Sequence, residues 1–300
     1  MNAREIAIES RAELSRNRLG GYLELTKPRV TSMVLVTTLA GFYLGAAGSF
    51  DLAVALNLMI GTALASGGTL ALNQYIERES DAFMKRTRYR PLPDGRLTPP
   101  EALWFGLLAS ASGIVYLLLT VNWLAAAVTT SITTIYLLAY TPLKRVSWMC
   151  NLVGAIPGAL PPVAGWAGAR GSLSAEPWVL FGIMFLWQLP HSLSIAKLYR
   201  DDYERAGIRL LPEPRNGRAL ENPVIIAASV MLLAVGALPT LMGFAGTTYL
   251  VVAGVLGIAM LACGIVLVSG PETAAAARRV MLASLIYLPS VLLVMVLDKI

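Results

Sequence analysis

The segment NQYIERESDAFMKRTRYR, residues 73–90, follows AVALNLMIGTALASGGTLAL, residues 53–72, without a break. How that junction is read decides the fold. The first stretch is uncharged and long enough to cross about 30 Å of hydrocarbon as a helix. The second packs three acids and five bases into one short run. A spanning helix needs only one or two basic anchors at its end, and carboxylates contribute little to orientation. The junction therefore reads as a membrane helix that carries a binding site on its polar end.

The rest of the chain fits that reading. Of 300 residues, 56% are hydrophobic and only 14% charged, well below the roughly one quarter charged in soluble domains. Apolar runs near 30–48, 53–75, 102–120, 123–140, 150–168, 178–196, 224–244, 248–268 and 280–297 predict nine transmembrane helices. The fold class is all-α: a polytopic membrane protein whose helices surround a central cavity beneath a charged cytoplasmic face. Residues 1–29 read as a cytoplasmic N-terminal segment, and 30–300 as a single transmembrane domain. With the N-terminus inside, all Lys and Arg except Arg170 and Lys299 fall in the inside segments. This places the C-terminus outside, across a bacterial-type inner membrane. The net charge of +6 thus follows from topology and a fit to anionic lipid, and gives no reason to invoke nucleic acid. Cys150 and Cys263 lack metal-ligand or CxxC spacing and read as packing residues.

The outer loops barely turn the chain, so the first and second, third and fourth, and seventh and eighth spans form adjacent hairpins. The two long connections, 76–101 and 197–223, both lie inside. In the fifth span, GAIPGALPPVAGWAGA (154–169) concentrates glycine and proline. Such a stretch either lets neighbouring helices approach closely or opens a cavity among them.

Continued as a helix at 100° per residue, Asn73, Glu77 and Asp81 drift only about 80° around the axis, with a rise of about 6 Å per step. One amide and two carboxylates on one face suit a hard cation such as Mg²⁺ that also holds substrate phosphates. Arg78, Lys85, Arg86, Arg88 and Arg90 beside them suit a diphosphate. The plainer alternative is a basic flank with i,i+4 ion pairs such as Asp81–Lys85. A second cluster, SIAKLYRDDYERAGIRLLP (194–212), sets Lys197, Asp201 and Arg205 four apart, with Asp202 and Glu204 beside them. It reads either as a solvated helix end or as the holder of a second metal ion. His191, the one histidine, sits near the inner end of the sixth span. Intramembrane ionisable residues are functional candidates, and this one could act as a base. Trp187 and Gln188 could line the same pocket, and Trp187 equally suits an interfacial anchor.

NQYIERESDAFMKRTRYRPLP resembles the first acidic motif of the UbiA-type membrane prenyltransferases, most closely that of their heme o synthase branch. LTKPRV (25–30), YTPLKR (140–145), GALPPVAGW (158–166), WQLPH (187–191) and KLYRDDYERAGIRLLP (197–212) are similar to further signatures of that branch, in the same order. One departure is Glu77, where the wider family has Asp. The resemblance implies that Asn73, Glu77 and Asp81 hold Mg²⁺ on farnesyl diphosphate, and that Asp201 and Asp202 hold a second ion. It implies that Lys85, Arg86, Tyr140, Lys144, Arg145 and Lys197 bind the diphosphate, Lys144 with a catalytic part. The acceptor it implies is heme b, with His191 and Trp187 beside it. The farnesyl group would join a vinyl carbon and water would add, giving heme o for a downstream heme-modifying enzyme or terminal oxidase. Competing readings are a prenyltransferase for a quinone precursor or chlorophyll-like acceptor, and a transporter. The latter is disfavoured because transporters place charged sites near the midplane, whereas here the acids sit at helix ends.

Overall fold

The structure, a computed structural model, describes residues 18–48, 50–212, 220–269 and 273–300. The expected segment 1–29 therefore lies mostly outside the described residues. Among those described, the chain is helical, with a single isolated bridge between Ala245 and Lys299. A short helix α1 (18–25) leads into α2 (Pro28–Gly45), α3 (Leu52–Phe83) and α4 (Pro99–Thr120). Then follow α5 (Trp123–Thr134), a π-helical turn (Ile135–Tyr140), α6 (Thr141–Leu143), α7 (Cys150–Ala159) and α8 (Pro161–Arg170). The chain ends with α9 (Glu176–Leu198), α10 (Arg200–Arg205), α11 (Glu221–Leu241), α12 (Thr247–Ser269) and α13 (Ala274–Leu297).

Eight helical stretches among the described residues are long and apolar enough to cross a membrane: α3, α4, α5 to α6, α7 to α8, α9, α11, α12 and α13. The first of the nine expected spans, α2, packs among them but begins with Pro28 and Arg29 and falls short on composition. The count of nine is therefore approximate. The lipid-facing surfaces of α4 and α12 expose Leu108, Leu119, Val251 and Ile258, since hydrocarbon is their solvent and every backbone bond is closed within the helix.

Side-chain caps set the helix boundaries. Asp51 accepts from Ala53 N and Val54 N to start α3. Thr98 and Glu101 form a capping box at α4, and Asn122 accepts from Ala125 N to start α5. Each satisfies amides that have no intrahelical partner. At 32 residues, α3 is about 48 Å long, more than the hydrocarbon thickness, so its acidic last turns reach beyond the apolar layer.

The expected hairpins α2/α3, α4/α5 and α11/α12 are all in contact, yet the most extensive packing joins α3 to α4, across the long connection, and α2 to α8. Small residues explain this. Gly61 and Gly68 of α3 face Gly113 and Ser110 of α4, and Gly41 and Gly165 bring α2 onto α8. Without side chains these backbones approach within van der Waals reach. A Cβ on Gly165 would fall on the Thr38 carbonyl oxygen, and backbone cannot yield as a side chain can. Gly165→Ala is expected to destabilise the protein by about 3 kcal/mol, seen as a lowered melting temperature in detergent. Gly20→Ala, which meets nothing within 4 Å, serves as the control that leaves it unchanged.

Proline shapes the site-forming helices. The expected fifth span is two ten-residue helices meeting at Leu160, with Pro161 opening the second. Pro142 lacks the N–H that would continue the ladder after α5. The helix widens there into the π turn, and the Tyr136 carbonyl accepts from both the Thr141 N–H and, at 2.8 Å, the Thr141 hydroxyl.

Candidate active site at the polar end of the bundle

The last two turns of α3 present Asn73, Glu77 and Asp81 on one buried face, at 0%, 8% and 1% exposure. Burial this deep would be unfavourable for carboxylates without cationic partners. Each has one. Lys144 donates to Glu77 Oε1 at 2.7 Å, Arg90 to Asp81 Oδ2 at 2.6 Å, and Lys27 to Asn73 Oδ1 at 2.8 Å. Asn73 Nδ2 donates to the Thr141 hydroxyl at 3.1 Å. The Thr87 hydroxyl returns to the Asp81 carbonyl at 2.8 Å and closes the end of α3.

Lys27, Glu77, Asp81, Thr87, Arg90 and Lys144 line a polar cavity of about 190 Å³, with Arg86, Tyr140 and Tyr203 completing the wall, while Asn73 sits behind Lys27 outside that lining. Arg86 is held over the rings of Tyr199 and Tyr203 and bonds the Tyr203 hydroxyl at 2.7 Å. Burial, with Arg90 adding to it, pushes the Lys27 ammonium down to about 7. Burial also opposes the charge on Lys144, but Tyr140 and Glu77 outweigh it and hold this ammonium above the ordinary lysine range. One carboxylate oxygen, Asp81 Oδ1, is buried with no partner among the described residues. With Arg90 on its other oxygen, this buried atom is an acceptor left open for something the pocket binds.

A second, apolar cavity of about 260 Å³ lies deeper, between α2, α3, α5 and α7 to α9. Val34, Ser66, Tyr136, Gly154, Pro157 and Gln188 are among its walls. Both readings of the Gly/Pro stretch hold. Gly154 and Gly158 make room for the Tyr140 ring and the Gln188 amide, and the same residues line the cavity. Tyr140 belongs to both cavities and lies under the Lys144 ammonium at 4.3 Å. The polar and apolar chambers therefore meet at this ring.

Other predicted residues are placed elsewhere. Asp201 and Asp202, on α10, do not reach the polar cavity; they line a separate, open one of about 280 Å³ with Lys85, Lys197 and Arg200. Asp202 pairs with Arg205 one turn on. Lys197 is buried against Glu221 at 2.6 Å. Arg145 faces a further cavity rather than the acids. From the second cluster, Tyr203, Ile208 and Leu210 enter the polar cavity in place of the acids. Among the described residues no three His, Cys, Asp or Glu side chains converge on a metal position.

His191 and Trp187 line neither cavity. Their rings stack at 4.9 Å and 15° against α13, where Trp187 Nε1 donates to the Ser284 carbonyl at 2.7 Å. The Ser284 hydroxyl donates to the Met281 carbonyl at 2.6 Å, so it accepts from His191 Nδ1 at 2.8 Å. That fixes the tautomer: Nδ1 holds the proton and Nε2 its lone pair.

Lys27 and Arg90 were not picked out as site residues from sequence. Arg90 was one base in a run of five. The signal for Lys27 was the Lys-Pro pair in LTKPRV: it has φ 46°, the one non-glycine residue with positive φ among those described, held there ahead of Pro28.

The chain matches the UbiA prenyltransferase family over residues 34–286. It is 44% identical over 287 residues to the protoheme IX farnesyltransferase of Solibacter usitatus (strain Ellin6076), covering 93% of this chain and 98% of that one. It is 43% identical to that of Koribacter versatilis (strain Ellin345), covering 94% of each. Among solved structures, a digeranylgeranylglyceryl phosphate synthase superposes with a TM-score of 0.79 at 18% identity, over 94% of this chain and 98% of that one. A UbiA homolog from Archaeoglobus fulgidus bound to GPP and Mg²⁺ superposes at 0.61 with 14% identity, over 92% and 99%. At those identities the structural likeness speaks for the fold. The sequence match over most of the chain speaks for descent, and this chain belongs to the UbiA prenyltransferase family.

Proposed function

We propose that this membrane protein transfers the farnesyl group of farnesyl diphosphate to a vinyl group of heme b, with addition of water, to give heme o. The observation that carries the reading is the pair of chambers joined at Tyr140: a cationic pocket with a spare carboxylate oxygen above an apolar, bilayer-level cavity. A molecule with a diphosphate head and a long apolar tail matches that division. The relatives named protoheme IX farnesyltransferase support the choice of acceptor.

Asn73, Glu77 and Asp81 would hold Mg²⁺, and the unpaired Asp81 Oδ1 together with the all-oxygen donor set supports the fit. When bound, the ion supplies positive charge against the departing diphosphate. Lys27, Arg86, Arg90 and Lys144 would take the remaining phosphate oxygens. As the allylic C–O bond breaks, its electron pair leaves on diphosphate, and fixed cations stabilise that charge most where it develops. The allylic cation then lies beside Tyr140 and Tyr136, away from bulk water. The vinyl π electrons close the new C–C bond. Water adds to the carbon next to the ring and loses a proton, so no protein nucleophile is required.

Lys85 and Lys197 would guide the diphosphate in from the outer cavity. A second ion on Asp201 and Asp202 would have to displace Arg205, so the reading rests on the first set. His191, with Nε2 unprotonated, suits an iron ligand. We place the charged end in the cytoplasm, and the protein in a bacterial inner membrane, from the Lys and Arg distribution. Reporters fused at Gly95 and Ile300 are then expected on opposite sides. The product would pass to a heme-modifying enzyme or terminal oxidase.

The direct test is incubation of purified protein with heme b, farnesyl diphosphate and Mg²⁺, with mass analysis of extracted heme. Heme gaining one farnesyl group and one hydroxyl group is the expected result; unmodified heme refutes the reading. His191→Ala is expected to shift the absorption spectrum of bound heme and lower turnover while farnesyl diphosphate affinity holds. If spectrum and turnover both stay as in the parent, His191 is a packing residue.

A further inference from the structure

The largest of the cavities described lies against none of the carboxylates proposed to hold metal. It measures about 450 Å³ and sits at the polar end, beside the diphosphate pocket, with Tyr203, Ile208 and Leu210 common to both walls. Its character differs from that of its neighbour. Arg145, Arg200 and Arg209 edge it with the acid Glu204, while Ala196, Leu211 and Pro212 give it an apolar floor. Arg200 is engaged with Glu204 at 2.8 Å. Arg145 reaches only the Ser80 hydroxyl, at 3.4 Å, and neither Arg145 nor Arg209 forms an ion pair among the described residues.

The two segments that carry Arg145 and Arg209 are tied together here through backbone groups. Arg209 N donates to the Lys144 carbonyl at 2.7 Å, and Asn151 Nδ2 donates to the Leu210 carbonyl at 2.8 Å. The loop before Pro212 is thereby pinned across residues 144–145. Arg145 and Arg209 thus stand on one cavity wall, exposed and each without an acid of its own, and planar carboxylates are the anions that guanidinium forks fit best.

We propose that this cavity binds the carboxylates of the acceptor, with Arg145 and Arg209 as the specificity-determining pair. This rests on the reading of the acceptor as heme b, a flat apolar ring with two carboxylates on one edge. An amphipathic ring in a bilayer settles with its apolar body in the hydrocarbon and its charges at the interface, as amphipathic side chains do, and the cavity offers an apolar floor under a basic rim. The same pair rejects acceptors that lack an acidic edge.

The test compares heme b with its dimethyl ester, whose two carboxylates are masked, at saturating farnesyl diphosphate. Heme farnesylation by the unaltered protein tests the underlying reading independently. Arg209→Ala and Arg145→Ala are expected to raise KM for heme b about tenfold each, the loss of one charge-assisted bond, and Arg209→Lys to recover part of it. The dimethyl ester should show the raised KM already in the unaltered protein, with little further change in either variant. KM for farnesyl diphosphate should stay constant throughout. The proposal is overturned if the ester and the variants act independently, their effects multiplying. It is also overturned if KM for farnesyl diphosphate rises instead, which assigns the arginines to the diphosphate. A third overturning result is a loss that appears only in vesicles rich in phosphatidylglycerol, which assigns them to lipid headgroups.

Discussion

Asp81→Asn is expected to lower farnesyl transfer by about a thousandfold while the purified protein keeps its melting temperature to within a few degrees. Asparagine matches the shape of the side chain and can still accept from Arg90 through its carbonyl oxygen. What it removes is the charge and the open oxygen that meets no partner in the folded chain. Titrating Mg²⁺ into the variant should not restore the rate at concentrations that saturate the parent. Glu77→Asp, by contrast, retains the charge and shortens the reach by one methylene, so partial activity is expected. Normal turnover of Asp81→Asn at low Mg²⁺ would remove the metal from this face of α3.

The second large effect is expected at Lys27, with opposite signs for function and stability. Its backbone lies at φ 46°, ψ 68°, a left-handed conformation that disfavours a residue with a Cβ by about 1–2 kcal/mol. Its ammonium is pressed into the site beside Arg90. Lys27→Gly relieves both, since glycine adopts positive φ freely. The variant is expected to melt no lower than the parent while its affinity for farnesyl diphosphate drops ten- to a hundredfold, measured by binding with heme omitted. Lys27→Ala keeps the backbone strain and loses the same charge, so it should bind as weakly yet melt below the glycine variant. A glycine variant that binds normally would show that the strained lysine serves packing and not the phosphate.

Much of this arrangement can be read from the residues. Uncharged runs locate the helices because lipid admits little else. The 73–77–81 spacing places an amide and two carboxylates on one face because a helix fixes that geometry. What escaped reading depends on contacts between distant segments. Lys27 arrives from the start of α2 because Pro28 forces a sharp turn, and nothing in the local pattern says where its amine ends. Asp201 and Asp202 look like a partner for the first cluster by composition, but α10 is a separate short helix and turns Tyr203, rather than the acids, into the pocket. The break between α7 and α8 is legible as proline, whereas the chamber beside it depends on which side chains, the Tyr140 ring and the Gln188 amide among them, fill the space left by Gly154 and Gly158.

The rim of the apolar chamber includes Val30, nearly half of whose surface is open to the outside of the bundle. A chamber with a doorway into the bilayer exchanges its contents by diffusion in two dimensions. The farnesylated product, more oily than either reactant, can leave sideways into the leaflet without crossing the headgroups. Diphosphate departs the other way, into water. The two products exit through different phases, so each vacates the site without waiting for the other.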